Sequence, residues 1–128
     1  MPQPIKRIEI DFIDQSDQRY PTVGDWLYDG DTLILKISRM PKPVWEQAIA
    51  VHELVEALLC NVNGVSQQAV DEFDMGPGAD LDEPGFDRSA PYHREHCWAD
   101  VVERAFVAAS GESWATYDAA VGDHGCEC

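Results

Sequence analysis

The chain has 128 residues, 45% of them hydrophobic, and its 24 acidic side chains against 9 basic ones give a net charge of −15. This length and apolar content predict a single globular domain with one core. The negative charge repels nucleic-acid phosphates and argues against direct nucleic-acid binding. Because the sequence has no run of 18 apolar residues and no basic-then-apolar leader, we expect no membrane segment, no export and a cytoplasmic location.

The acidic composition also suits a function that needs no catalytic site. An acidic protein can imitate DNA and occupy the basic groove of a nucleic-acid enzyme, where complementary charges give specificity. The four cysteines predict no disulfide framework, since Cys60 and Cys97 fall in separate helical patterns and Cys126 and Cys128 lie at the tail.

Residues 1–40 have the features of a β region. Apolar and acidic side chains alternate through residues 5–13, which is the period of a half-buried strand. Further on, residues 26–28 and 32–37 flank Asp29-Gly30-Asp31, and Asp-Gly between two β-rich runs predicts a hairpin. We therefore expect a small antiparallel sheet of about three strands before the first helix.

Residues 41–64 predict the first main helix. Pro43 can open it and Gly64 can end it. Spacing residues at about 100° groups an apolar stripe that should face the core. The stripe consists of Ala48, Val51, Val55, Leu58 and Val62. His52 and Glu56 lie at its rim, a position that suits ligands in a cleft.

Residues 65–91 predict a long acidic loop with one short helix at 67–73. Ordered loops of this length in compact domains are often functional. Residues 92–121 predict the C-terminal helices, and residues 122–128 a flexible tail. The second main helix should start near Pro91 with Ser89 as its cap and end before Gly111.

This second main helix has a predicted buried stripe of its own, formed by Trp98, Val101, Val102, Ala105 and Ala109. Ser113 is then expected to cap a short final helix at 114–121. With the sheet, these helices predict an α+β fold in which a small antiparallel sheet packs on two main helices.

The most informative motif is His52-Glu53-Leu54-Val55-Glu56 in the first helix. His52 and Glu56 are one helical turn apart and project from one face, so they can hold one metal ion. A third ligand is expected from His93 or His96 at the start of the second main helix. The predicted stripe leaves His96 almost opposite the core, so His93 fits a shared cleft better, and both histidines remain candidates.

This pentapeptide resembles the HExxH motif of the zincin metallopeptidases, with a glutamate in place of the second histidine. The order of strand, motif helix and later helix, over residues 25–109, is similar to the gluzincin plan. The resemblance implies Zn²⁺ or another divalent transition metal ion, Glu53 as general base, and a peptide or protein substrate. The chain also looks similar to small uncharacterised phage and prophage proteins with the same two segments.

Two further roles follow from the resemblance. Asp100 is expected to orient the ring of His96, and either Tyr92 or the unligated histidine of the His93/His96 pair to stabilise an oxyanion. Because Glu56 replaces a neutral ligand by an anion, the motif predicts a metal site more firmly than a peptidase. A third hypothesis takes Glu53 with Glu56 and Asp71 with Asp74 as carboxylate pairs for magnesium, as in all-helical MazG-type nucleotide pyrophosphohydrolases.

Overall fold

The computed structural model describes residues 2–124, and three strands precede four α-helices in it. The strands are β1 (Arg7–Ile13), β2 (Gly24–Asp29) and β3 (Thr32–Ser38), and the helices are α1 (Pro43–Asn63), α2 (Gln67–Asp74), α3 (His93–Ala109) and α4 (Trp114–His124). Short 3-10 turns occupy Gln15–Asp17 and Pro84–Phe86. The predicted α+β class, with a three-stranded sheet, two main helices and a C-terminal helix, is confirmed.

The sheet is mixed rather than wholly antiparallel. β2 and β3 form the predicted antiparallel hairpin, and Gly30 at its turn has φ 62°. β1, however, pairs in parallel with β3, with Ile10 opposite Leu35. The chain runs up β1, down β2 and up β3, so β1 and β3 point the same way. Because β3 lies between the other two strands, it is the neighbour of β1 and the two strands pair in parallel.

The core lies between the sheet and α1. Leu33, Leu35 and Ile37 on β3 are fully buried, as the alternation predicts, and Trp26 on β2 joins them. The predicted helix boundaries are also confirmed, since α1 starts at Pro43 and ends before Gly64, whose φ of 78° is the left-handed conformation that terminates helices.

The helix α1 presents a different face to the core from the one predicted. Of the predicted stripe only Ala48 is buried, and Val62 is 67% exposed. The predicted rim residues His52 and Glu56 are buried instead. Asn63 Nδ2 near one end of this face donates to Glu95 of α3, so the two main helices run antiparallel.

Like α1, the helix α3 presents a different face to the core from the one predicted. It begins at His93 with Tyr92 as N-cap, not Ser89. Trp98 is 62% exposed and Val101 54%, so the predicted stripe faces solvent. The buried residues of α3 are Glu95, His96, Ala99, Glu103 and Val107.

At the C-terminus, the Ser113 hydroxyl caps α4 by accepting from Thr116 N, as predicted. α4 continues to His124, so residues 122–124 are helical rather than tail. The rest of the predicted tail, with Cys126 and Cys128, lies outside the described residues. Within residues 2–124, none of the helices has the length and apolar character needed to cross a membrane.

Candidate metal centre

Two histidines and one glutamate meet between α1 and α3. The Nε2 atom of His52 lies 3.3 Å from Oε2 of Glu56 and 3.2 Å from Nδ1 of His96, and the latter two atoms are 2.8 Å apart. All three side chains are buried. His52 and Glu56 share one face of α1 because they are one turn apart, and the antiparallel α3 brings His96 opposite them. We call these three residues the His-Glu-His cluster.

The neighbours of His52 fix which of its nitrogens faces the cluster. Nδ1 of His52 lies 2.7 Å from Oε1 of Glu103 on α3. A carboxylate only accepts hydrogen bonds, so Nδ1 carries a proton, and when the ring is neutral the lone pair of Nε2 points into the cluster. The second oxygen of Glu103 accepts from the Tyr117 hydroxyl on α4 at 2.5 Å. Three helices therefore contribute to the orientation of one imidazole.

Glu56 is held by a similar division between its two oxygens. Its Oε1 accepts a hydrogen bond from Nε1 of Trp26 at 3.0 Å, while Oε2 faces both histidines. Trp26 is a core residue of β2, so the sheet fixes the carboxylate plane. This leaves one oxygen of Glu56 for a ligand role.

The 3-10 turn of the acidic loop, Pro84–Phe86, packs closely against the ring of His96. A Cβ on Gly85 would lie 2.3 Å from Cγ and Nδ1 of His96, so only glycine allows this approach. Phe86 packs edge-on against the same ring with centroids 4.5 Å apart. Among the described residues Nε2 of His96 has no hydrogen-bond partner, and the nearest carboxylate oxygen, of Glu83, is 4.0 Å away.

The three separations suit a transition metal ion. Zinc binds histidine nitrogen at about 2.0–2.1 Å and carboxylate oxygen at about 2.0–2.2 Å, and a tetrahedral site therefore sets its ligand atoms roughly 3.3 Å apart. The separations in the His-Glu-His cluster run from 2.8 to 3.3 Å. The donors need to open by only a few tenths of an ångström, so the residues fit the group that the motif implies.

Charges in the cluster shift the pKa values of His52 and Glu56 in opposite directions. Burial alone would lower the pKa of His52, but its hydrogen bonds to Glu103 and Glu56 outweigh burial and raise the pKa well above the usual value. Burial would likewise raise the pKa of Glu56, yet hydrogen bonds with His52 and His96 lower it to about 2. Glu56 is thus an anion at neutral pH.

Glu53 borders the same cavity as the cluster residues. It packs so closely on β2 that a Cβ at Gly24 would lie 2.7 Å from its Cγ. Burial, and then the negative charge of Glu56, raise the pKa of Glu53 well above its usual value. Its carboxyl group accepts no hydrogen bond from any described residue, which leaves it free to exchange a proton.

The other predicted site residues lie outside the cluster. Nδ1 of His93 lies 3.0 Å from the Gly85 carbonyl oxygen. His93 therefore contacts the 3-10 turn that packs on His96 and is not part of the His-Glu-His cluster. Asp100 accepts from Arg104 at the surface and does not orient His96. Tyr92 is buried beside the His96 ring, with centroids 6.1 Å apart, but its hydroxyl donates to Asp74.

Two of the four carboxylates of the magnesium hypothesis, Asp71 and Asp74, are engaged in other hydrogen bonds. Asp71 accepts from Arg19, which also forms a two-point pair with Asp25. Asp74 accepts from the hydroxyls of Tyr20 and Tyr92. Burial raises the pKa of Asp74 to about 6 in spite of these two donors.

A cavity of about 520 Å³ opens beside the His-Glu-His cluster. Its walls come from β2, α1, the acidic loop, α3 and one side of α4. The long loop predicted from the sequence therefore forms one wall. A cavity of this volume is large enough for a small ligand or several atoms of a peptide.

Sequence reasoning missed Glu103, Tyr117 and Trp26. For Glu103 a signal existed, because Glu103 follows His96 by seven residues, two helical turns, and so shares its face. Tyr117 and Trp26 carry no such signal, since each comes from another element and is brought in by the tertiary fold. No protein-family model, curated protein or solved structure matches the chain.

Proposed function

We propose that this protein binds one divalent transition metal ion, zinc by preference, through His52, Glu56 and His96, and acts as a metal-dependent hydrolase of zincin-like design. The observation that carries the proposal is the meeting of three donor atoms within 3.3 Å of one another on two helices. Buried polar groups are costly unless they serve one another or a ligand, and these three converge on a single point.

The ligand set supports zinc despite the departure from HExxH. Two imidazoles and one carboxylate are a set that catalytic zinc sites use. In this chain the glutamate takes the second place in the motif helix and a histidine the third place on α3, so the total charge of the set is the usual one. Such an ion supplies a Lewis acid that makes water more acidic and polarises a carbonyl group.

Residues of the chain would supply the general base, the orientation of His52 and the exclusion of water. Glu53, beside the cluster and without a hydrogen-bond donor among the described residues, would accept the proton of the attacking water and pass it to the leaving group. Glu103 would hold His52 in the tautomer that keeps Nε2 free. The walls of the cavity would exclude bulk water from the reacting atoms. The candidate substrate is a peptide or protein.

The first test is metal content. Protein purified without chelator should contain about one equivalent of zinc or another transition metal by elemental analysis, and His52→Ala should lose it. His93→Ala is the matched control, because it removes a histidine from α3 that contacts Gly85 instead of the cluster. We expect His93→Ala to retain the metal.

Hydrolysis is the second measurement. The zinc-loaded protein should cleave unstructured protein substrates, and Glu53→Gln should abolish cleavage while it keeps the metal. A protein with no stoichiometric metal, or one in which His93→Ala loses as much metal as His52→Ala, would contradict the proposal. Equal cleavage by Glu53→Gln would remove Glu53 from the mechanism.

A further inference from the structure

The wall of the cavity beside the His-Glu-His cluster is strongly acidic. Eight of its residues are carboxylic acids and, within the described part of the chain, none is a lysine or arginine. Asp25 is paired with Arg19, which lies behind the wall. Glu53, Asp74 and Glu83 have no lysine or arginine within salt-bridge distance among residues 2–124. Phosphate and carboxylate groups would therefore be repelled.

The rest of the wall is apolar. Its aliphatic members include Val23, Ile49, Val70, Met75, Leu81 and Val121. Charges separated by such side chains are screened less than charges in water. A ligand that fits this wall needs an apolar stem and a positive end.

A second observation points to a ligand in the cavity. His96 is 8% exposed and borders the cavity, and its Nε2 has no partner among the described residues. Buried donors and acceptors are nearly always satisfied by protein, water or ligand. Because Nδ1 faces the cluster, Nε2 carries the proton when the ion is bound, so an acceptor of the bound molecule, such as a carbonyl oxygen, is its natural partner.

We propose that the cavity selects ligands that carry an ammonium or guanidinium group on an apolar stem, as the side chains of lysine and arginine do. Because the ion is proposed at one end of the cavity, this inference rests on the proposed function and specifies its substrate class. Positively charged peptides would also be drawn to a chain of net charge −15.

The test compares three hydroxamates on the zinc-loaded full-length protein: those of N-acetyl-lysine, N-acetyl-norleucine and N-acetyl-glutamate. The hydroxamate group is common to all, so only the side chain differs. By calorimetry the lysine compound should bind at least about tenfold more tightly than the glutamate compound, with norleucine between them. The difference should shrink in high salt.

A variant locates the effect in the cavity wall. Asp118→Asn removes one charge from the wall, and the preference for lysine over glutamate should fall about three- to tenfold. Asp31→Asn is the matched control, since Asp31 is exposed in the hairpin turn and lies outside the wall. It changes the net charge equally and should leave the preference unaltered.

Competition identifies the source of the cationic group. Displacement of the lysine hydroxamate by n-pentylammonium indicates a small amine, and displacement only by N-acetyl-lysine methylamide indicates a peptide side chain; either supports the inference. Equal affinity for the lysine and glutamate compounds, with one equivalent of metal bound, would overturn the inference and leave the proposed function intact. Absence of bound metal would instead contradict the proposed function, as reported by the His52→Ala experiment.

Discussion

The inner face of the α1/α3 pair, where the two helices meet, is polar at its centre, and on α3 the outer face is apolar, which is the reverse of the usual sense; the rest of the buried face of α1 is mostly apolar. The inner face carries His52, Glu56, His96 and Glu103, all buried. The outer face exposes aliphatic and aromatic side chains: Val62, Trp98, Val101 and Val102. In an ordinary amphipathic pair the apolar stripe would face the core.

This arrangement supports the proposal that the centre of the inner face binds a ligand. A buried polar group without a partner costs about 1–3 kcal/mol, so a polar core is kept only where its groups serve one another or a site. Trp26 and Tyr117 donate to the two glutamates of the inner face and satisfy them. Three predictions test the contrast between the faces.

The largest effect is expected from Asp74, which accepts from Tyr92 at the start of α3 and from Tyr20. Burial raises its pKa from 3.8 to about 6, so the folded protein binds this proton more tightly than the unfolded chain. Stability from this group is therefore greatest below about pH 4 and is lost as the pH rises through 6. A shift of this size corresponds to about 3 kcal/mol at most.

Urea unfolding of the wild type and of Asp74→Asn between pH 4 and 7.5 measures this contribution. The difference in free energy of unfolding between the two proteins should change by about 1–3 kcal/mol across that window. Asp31→Asn, an exposed aspartate, should track the wild type. If the free energy of unfolding of Asp74→Asn depends on pH as steeply as that of the wild type, the pKa of Asp74 is not raised in the folded protein.

The parts of the fold that the sequence predicted are those set by local chemistry. The Asp29-Gly30 turn, the start of α1 at Pro43 and its end at Gly64 depend on backbone preferences of single residues. The parallel pairing of β1 with β3 depends on where a strand is inserted in the sheet, and local sequence does not specify that.

The site was predicted in part, for the same reason. His52 and Glu56 follow from helical spacing alone, and the structure brings them together with His96. His96, and not His93, lies with His52 and Glu56, whereas the preference for His93 assumed that Trp98 and Val101 face the core. Since α3 buries its polar face instead, the histidine opposite the apolar stripe is the one that reaches α1.

The next effect concerns Glu103, which orients His52 from the inner face of α3. Glu103→Gln keeps an acceptor oxygen but removes the charge that stabilises the Nδ1 proton, so zinc affinity should fall about 10- to 100-fold. Asp100→Asn is the control on the same helix, because the Asp100 carboxylate accepts a hydrogen bond from Arg104 and lies outside the cluster. Competition with a zinc chelator gives both affinities, and equal losses would mean that Glu103 does not act through His52.

The smallest effect should come from the outer face. Trp98→Ser removes a side chain that is 62% exposed, so the free energy of unfolding should change by no more than about 0.5 kcal/mol. Tyr117→Phe removes one hydroxyl from the inner network and leaves Oε2 of Glu103 without its donor, at a cost of about 1–3 kcal/mol. Urea unfolding at two protein concentrations measures the free energy of unfolding of both variants. A larger loss from Trp98→Ser that grows with protein concentration would mean that the outer face is covered in solution, and the contrast between the faces would then belong to an assembly.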